Sequence, residues 1–427
     1  MRHSRVFRSV AHPASLVLLI TFVALMVAAG LRSAPGVLMV PLELHFGWNR
    51  ATTSLTAAIG IFLYGLAGPF AAALMLSFGI RRTMIAGLSL MAAATFVSQW
   101  MTASWQYVAT WGVLSGIGSG AIATVLGAAV VNRWFAKHQG LAMGLLSAST
   151  ATGALVFLPV LAWLTREGAW KPVVLAVSLA CILLIPLVAF FMPERPGDVG
   201  ATRIGETAES APPSPIKQAR TAGGAISALT AAARVPMFWL LFGTFFVCGL
   251  TTNGLIGVHM IAFCGDHGIA AVAAAGLLSM MGFFDLIGTT ASGWLTDRYD
   301  PRKLLFVYYG LRGLSLIALP FLDFGPASLT AFAIFYGLDW IATVPPTMKL
   351  ANQTFGEQAA PIVFGWIMVG HQLGAATAAF GAGVVREQTG SYLPAFIAAG
   401  AFAIVAAIAV IAGRPFSGEG RKPAFNI

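Results

Sequence analysis

The sequence predicts an all-α membrane protein, with twelve transmembrane helices in two six-helix bundles and both termini cytoplasmic. Three observations predict this class. Hydrophobic residues make up 58% of the 427 and charged residues only 9%; the apolar residues come in blocks long enough to cross a bilayer; and the Lys and Arg residues sort to one side of those blocks. A soluble domain carries about a quarter charged residues, so this chain cannot cover itself with a polar surface. At 1.5 Å per helical residue, ~20 apolar residues cross a hydrocarbon core of about 30 Å.

In chain order, residues 1–15 read as a cytoplasmic tail. Apolar runs near 16–40, 52–76, 82–101, 105–131, 140–164 and 171–192 form a first bundle, 16–192. The first run lacks the small-residue cleavage site of a secretory signal, so it is expected to remain as a span. Residues 193–235, rich in Pro, Gly, Ala, Ser and charge, read as a flexible cytoplasmic linker. Runs near 236–262, 270–295, 303–322, 326–347, 360–384 and 391–412 form the second bundle, 236–413, and 414–427 is a second cytoplasmic tail.

The net charge of +10 acquires meaning only when each basic residue is placed on a loop. With the N-terminus inside, cytoplasmic segments hold 19 of the 25 Lys and Arg, and outer loops hold four, Arg50, Arg166, Lys171 and Arg386. The basic balance therefore reports topology and contact with lipid rather than nucleic acid. Cys181, Cys248 and Cys264 are scattered, without CxxC spacing or a company of histidines, and read as small apolar packing residues. No metal or cofactor is implied. Gly116, Gly118 and Gly120 lie inside an apolar run with no strand before them, which favours close helix packing over dinucleotide binding. The absence of a Walker A sequence, an HExxH or a nucleophile elbow argues against an ATP-driven pump or a membrane enzyme.

A basic turn follows the second span of each half, around Arg81–Arg82 and again around Arg302–Lys303, 221 residues later, which suggests an internal duplication. The stretch from Gly293 through Trp294, Thr296, Asp297 and Arg298 to Arg302 and Lys303 resembles the signature of the major facilitator superfamily. That resemblance covers the whole chain. It implies a gating role for Gly293, Asp297, Arg298, Arg302, Lys303, Arg81 and Arg82: a small residue for helix approach and an acid among bases that forms a charge latch. The first copy has Leu76 and Ser77 where the acid and a basic residue belong, so its latch is expected to be weaker.

The turn from Trp134 to Gly144, with Phe135, Lys137, Leu141, Ala142 and Gly144 and then Ala148 and Gly153, is similar to the loop signature of the monocarboxylate porter family, which includes oxalate:formate antiporters. The sequence departs from that family at the first span, whose acidic, Gly- and Trp-containing motif is missing. It departs again at Asp285, where those carriers place an Arg one turn later and this chain has Thr289. Gly153 to Pro159 does not reproduce the Gly-rich motif of drug/proton antiporters.

A charge at membrane depth is costly unless paired or wet, so each is a candidate for function. Arg32, Asp285, Arg312 and Asp339 fall inside spans, joined by His371. Counting rise per residue puts Asp285 and Arg312 both about 15 Å deep, and pairing across consecutive helices is expected, either as a proton-linked site or as a static packing pair. Arg32, sixteen residues into its span, falls about 24 Å from the inner side. It reads as a substrate residue on a helix that Gly30, Pro35 and Gly36 can break, against snorkelling to the outer interface. Substrate candidates are Arg32, Arg312, His371, Gln372, Asn253 and Tyr64; proton-coupling candidates are Asp285, Asp339 and His371. His259, near the outer end of its span, reads as interfacial.

The expected function is secondary transport of a small organic anion, a monocarboxylate by the resemblance, by alternating access with proton symport. Export of hydrophobic compounds is the alternative, and a polytopic enzyme or receptor is the alternative of another class. The expected partners are a small-molecule solute and the lipid bilayer, with no nucleic acid; the chain is expected to be a monomer in a plasma membrane, a bacterial inner membrane by its short loops.

Overall fold

A computed structural model describes residues 12–122, 124–137, 139–206, 222–356 and 359–413. The tail bases Arg2, Arg5, Arg8, Arg414, Arg421 and Lys422, and the linker bases Lys217 and Arg220, lie outside them. The chain is nearly all helical. In order run α1 (Pro13–Phe46), α2 (Arg50–Phe78), α3 (Ile80–Val97), α4 (Ser104–Trp134), α5 (Gln139–Leu164) and α6 (Lys171–Phe191). After a short helix, Ala222–Ala232, come α7 (Pro236–Asp266), α8 (Ala271–Arg298), α9 (Pro301–Ala318), α10 (Pro326–Phe355), α11 (Ala360–Thr389) and α12 (Leu393–Ala412). Among the described residues eleven of these segments are long and apolar enough to cross a membrane; α5, of 26 residues, is long enough as well.

Local chemistry sets the helix ends. Pro13 opens α1 behind a His12 cap whose ring nitrogen accepts from the Ala14 N–H, and Gly47 closes it at φ 69°, where a side chain would be strained. Asn49 caps α2 and Asp300 caps α9, each accepting a backbone N–H of the first turn. Large apolar side chains such as Trp105, Phe190 and Val405 point outward. Water would not tolerate so wide an apolar surface, and hydrocarbon does.

The helices before the linker meet those after it along three seams: α2 on α11, α5 on α8, and α1 on the end of α7. Glycine makes the closest approaches. A Cβ at Gly249 of α7 would lie 1.8 Å from the His371 carbonyl of α11, and one at Gly288 of α8 would lie 1.9 Å from the Leu338 carbonyl of α10. The Gly116, Gly118 and Gly120 run does the same for α4, against Gly60, Met91 and Ala67, as packing requires.

Two expectations are corrected. The linker is not loose at its first described residues, which pack on the turn between α4 and α5: Arg203 donates to the carbonyls of Asn132 and Phe135 at 3.1 and 2.8 Å, and Ile204 exchanges backbone bonds with Trp134 and Ala136. Helix α1 is not broken. It runs through Gly30, Pro35 and Gly36, and a Cβ at either glycine would meet Phe157 or the Val258 carbonyl, so these glycines admit neighbouring helices. The break falls in α10 instead, where the helix stops at Asp339 and resumes at Val344. Pro345 and Pro346 lack the N–H groups that would bond the carbonyls of Ile341 and Ala342, so the ladder cannot pass that point.

Candidate functional site

A helix broken at membrane depth leaves backbone groups that hydrocarbon cannot satisfy. Here side chains of α8 and α9 take them. The Arg312 guanidinium donates to the carbonyls of Asp339 (2.5 Å) and Trp340 (3.1 Å), the negative end of the first α10 segment. The Asp285 carboxylate accepts the Ile341 N–H at 2.9 Å, and Ser292 donates to the freed Ala342 carbonyl at 2.5 Å. Charges that look like a proton site in the sequence therefore also splice a discontinuous helix.

The expected Asp285 and Arg312 pair does not form. Arg312 pairs with Asp339, Nε to Oδ2 at 2.6 Å, and its Nη1 also reaches the Cys248 sulfur at 3.1 Å and Thr251 Oγ1 at 3.5 Å. Equal depth holds for all of them. Which residue faces which, however, depends on rotation about each helix axis, and the break turns Asp339 toward α9. Asp285 bonds instead to Thr289 Oγ1 at 2.9 Å, the residue standing where the resembled carriers have Arg. Arg312 is fully buried, with every nitrogen of its guanidinium engaged.

Cys248, read as packing, is a member of this network; it also meets Thr343 Oγ1 at 3.3 Å. Nothing in its sequence spacing signals that role, since its partners come from α9 and the α10 break. His371 is buried in the same region, its ring 5.4 Å from that of Phe245, and its Nδ1 has no partner among the described residues; the same holds for Asp339 Oδ1. Gln372 is buried against Gly65 of α2, across the seam. Asn253 is half-buried in a widened π-helical turn of α7, Leu250–Ile256.

Arg32 stands apart. It lies near the middle of the 34-residue α1, which extends beyond the predicted span at both ends. Its guanidinium sits 4.5 Å over the Tyr64 ring, and among the described residues it has no acidic partner.

Two further clusters lie at the faces. At the face where α1 ends, Arg50 holds Glu43 in a bidentate pair at 2.5 and 2.8 Å and donates to Tyr392 Oη at 2.7 Å, across the α1/α7 and α2/α11 seams. Tyr392 Oη in turn meets His259 Nδ1 at 2.9 Å, and His259 Nε2 meets the Ala379 carbonyl at 2.7 Å. His259 is fully buried within the protein at this face. A carbonyl can only accept, so Nε2 carries the proton and Nδ1 accepts from Tyr392.

At the opposite face the signature residues are looser than expected. Asp297 makes no ion pair among the described residues, Arg298 stacks on Trp294 at 4.0 Å, and a Cβ at Gly293 would meet nothing within 4 Å. Arg302 donates to the Gly413 carbonyl, and Lys303 is exposed. Arg81 and Arg82 are exposed, and Glu194 stands against the start of their helix. Its carboxylate accepts the N–H groups of Ile80 and Arg81 at 2.6 and 3.0 Å and pairs with Arg133.

Residues 21–379 match the Major Facilitator Superfamily. The chain is 28% identical over 370 residues to monocarboxylate transporter 13 of Bos taurus, covering 86% of this chain and 81% of that one. It is 26% identical over 407 residues to the uncharacterized MFS-type transporter YcxA of Bacillus subtilis, covering 94% of each. A bacterial homologue of the human lysosomal transporter Spinster shares the fold, with a TM-score of 0.74 at 14% identity over 93% of this chain and 96% of that one. A helical membrane chain matched over most of its length in this way is a transporter of the Major Facilitator Superfamily.

Proposed function

We propose that the protein is a secondary transporter of a small organic anion, a monocarboxylate, with Arg32 as the residue that meets the carboxylate. The observation that carries this reading is the unpaired guanidinium of Arg32 near the middle of α1, over Tyr64. Guanidinium binds carboxylate through two parallel hydrogen bonds, and a ligand that supplies the missing charge removes a standing cost at that depth. The monocarboxylate transporters among its relatives support the substrate class.

In this reading α5 completes twelve spans, the two sets of six helices rock about the α2/α11 and α5/α8 seams, and the positive-inside bias orients both termini to the cytoplasm of a bacterial inner membrane. Arg50, Glu43, Tyr392 and His259 then close the outer side. Asp285, Asp339 and His371 couple transport to a proton, supported by the unpartnered Asp339 Oδ1 and His371 Nδ1. A proton arriving there weakens the hold on Arg312 and on the α10 break, which would link protonation to movement of α10. His371, Gln372 and Asn253 lie on the α7 and α11 side of the path.

Uptake of labelled short carboxylates into proteoliposomes, at two external pH values, tests this. Acid-stimulated uptake that Arg32→Gln abolishes is the expected result. Transport of apolar cations with no carboxylate flux would overturn it.

A further inference from the structure

Beside Arg32, α1, α2 and α4 enclose a small cavity whose polar lining is Arg32, Thr56, Ser115 and Ser119, with Val258 of α7 closing one wall. Two of these hydroxyls are anomalous. A helical Ser or Thr ordinarily returns its hydrogen to the carbonyl one turn back, as Thr21, Thr95 and Thr110 do at 2.7 to 2.8 Å. Thr56 and Ser115, 0% and 1% exposed, do not: neither Oγ has a partner among the described residues. An orphaned buried hydroxyl is destabilising, and two of them line the same cavity as the unpaired guanidinium. Glycine explains their convergence, because a Cβ at Gly116 would lie 2.9 Å from the Gly60 carbonyl, so the backbones of α4 and α2 touch there.

We propose that Arg32, Thr56 and Ser115 together form the headgroup subsite for a short-chain monocarboxylate, an inference that rests on the anion transport proposed above. A carboxylate is acceptor-only and offers about four lone-pair sites; the guanidinium and the two hydroxyls are donors in want of acceptors. The cavity measures about 30 Å³, and at ~10–15 Å³ per water-sized site that is room for two oxygen atoms. Arg32 is the one charged residue among those lining it, so the subsite takes a single negative charge. The other walls, Ala57, Ile61 and Val258, are apolar and face whatever short tail follows the carboxylate.

The experiment uses the full chain in proteoliposomes with labelled acetate and pyruvate as probes, and measures concentration-dependent uptake for wild type, Thr56→Val, Ser115→Ala and Arg32→Gln. Each hydroxyl variant is expected to raise KM about tenfold, the effect of one hydrogen bond to a charged group, with Vmax within about twofold. A second readout is thermal unfolding of the purified protein. Thr56→Val is expected to unfold at a higher temperature than wild type without probe, because it removes an orphaned donor, and to lose most of the shift that pyruvate gives wild type. Wild-type uptake that Arg32→Gln abolishes but that keeps its KM in Thr56→Val and Ser115→Ala overturns the subsite and leaves the anion reading standing. A reduced Vmax at unchanged KM also overturns it, since the hydroxyls would then act on the helices. No carboxylate uptake by wild type overturns the anion reading, and the subsite with it.

Discussion

Replacing Arg312 with leucine should be the most damaging single change in the polar network, and its cost follows from the contacts it strips. Arg312 makes five: Asp339 Oδ2, the carbonyls of Asp339 and Trp340, the Cys248 sulfur and Thr251 Oγ1. Removing one partner of a buried ion pair costs ~3–5 kcal/mol, because the other charge is left uncompensated. Arg312→Leu should sit at the upper end, about 5 kcal/mol, since it also orphans the two carbonyls at the α10 break. Asp339→Leu should cost about 3 kcal/mol: the carbonyls, Cys248 and Thr251 still accept from the guanidinium. The difference of about 2 kcal/mol is ~30-fold in the unfolding constant. The double variant should cost ~2 kcal/mol less than the sum of the singles, the coupling of residues in direct contact. Reversible unfolding of each variant in mixed detergent micelles measures all three. Equal costs for the two singles, or strict additivity in the double, would refute the claim that Arg312 splices the broken helix as well as pairing with the acid.

Other outcomes follow from the same geometry. Tyr392→Phe removes the bonds to Arg50 and His259, together about 2 kcal/mol, so the face where α1 ends should open more often; spin labels at His45 and Gln388, both exposed, should show a longer distance, and an unchanged distribution would count against a closure there. Gly249→Ala should prevent folding, because its Cβ has a backbone carbonyl at 1.8 Å, whereas Gly243→Ala meets nothing within 4 Å and should stabilise by ~0.5–1 kcal/mol; monodispersity and thermal unfolding distinguish them. Glu194→Ala uncaps α3 and releases Arg133, for about 1–2 kcal/mol; a loss no greater than that of Glu206→Ala in the same unfolding assay would show that Glu194 does not hold the start of α3.

Much of this architecture is legible one residue at a time. Hydrocarbon demands about twenty apolar residues per crossing, so the spans show as blocks, and it penalises charge, so Arg32, Asp285, Arg312, Asp339 and His371 stand out without any knowledge of their neighbours. Distance along a helix axis is also countable, which is why the interior positions of Asp285 in α8 and Arg312 in α9 are readable from the sequence. The α10 break was written in Pro345 and Pro346, residues whose missing N–H groups mark it directly, while attention to Gly30, Pro35 and Gly36 pointed to α1, where neighbouring helices hold the chain straight.

What the sequence determined by itself is what each residue asks of its solvent: which segments are apolar enough to enter a bilayer, and which charged side chains within them need a partner. What only the tertiary structure decided is who that partner is. Asp339 rather than Asp285 meets Arg312, Cys248 joins them, and Thr56 and Ser115 line one cavity with Arg32. The physical reason is that pairing depends on the rotation of each helix about its axis and on how closely glycines such as Gly249 and Gly116 let two backbones approach. Neither quantity is a property of any one segment.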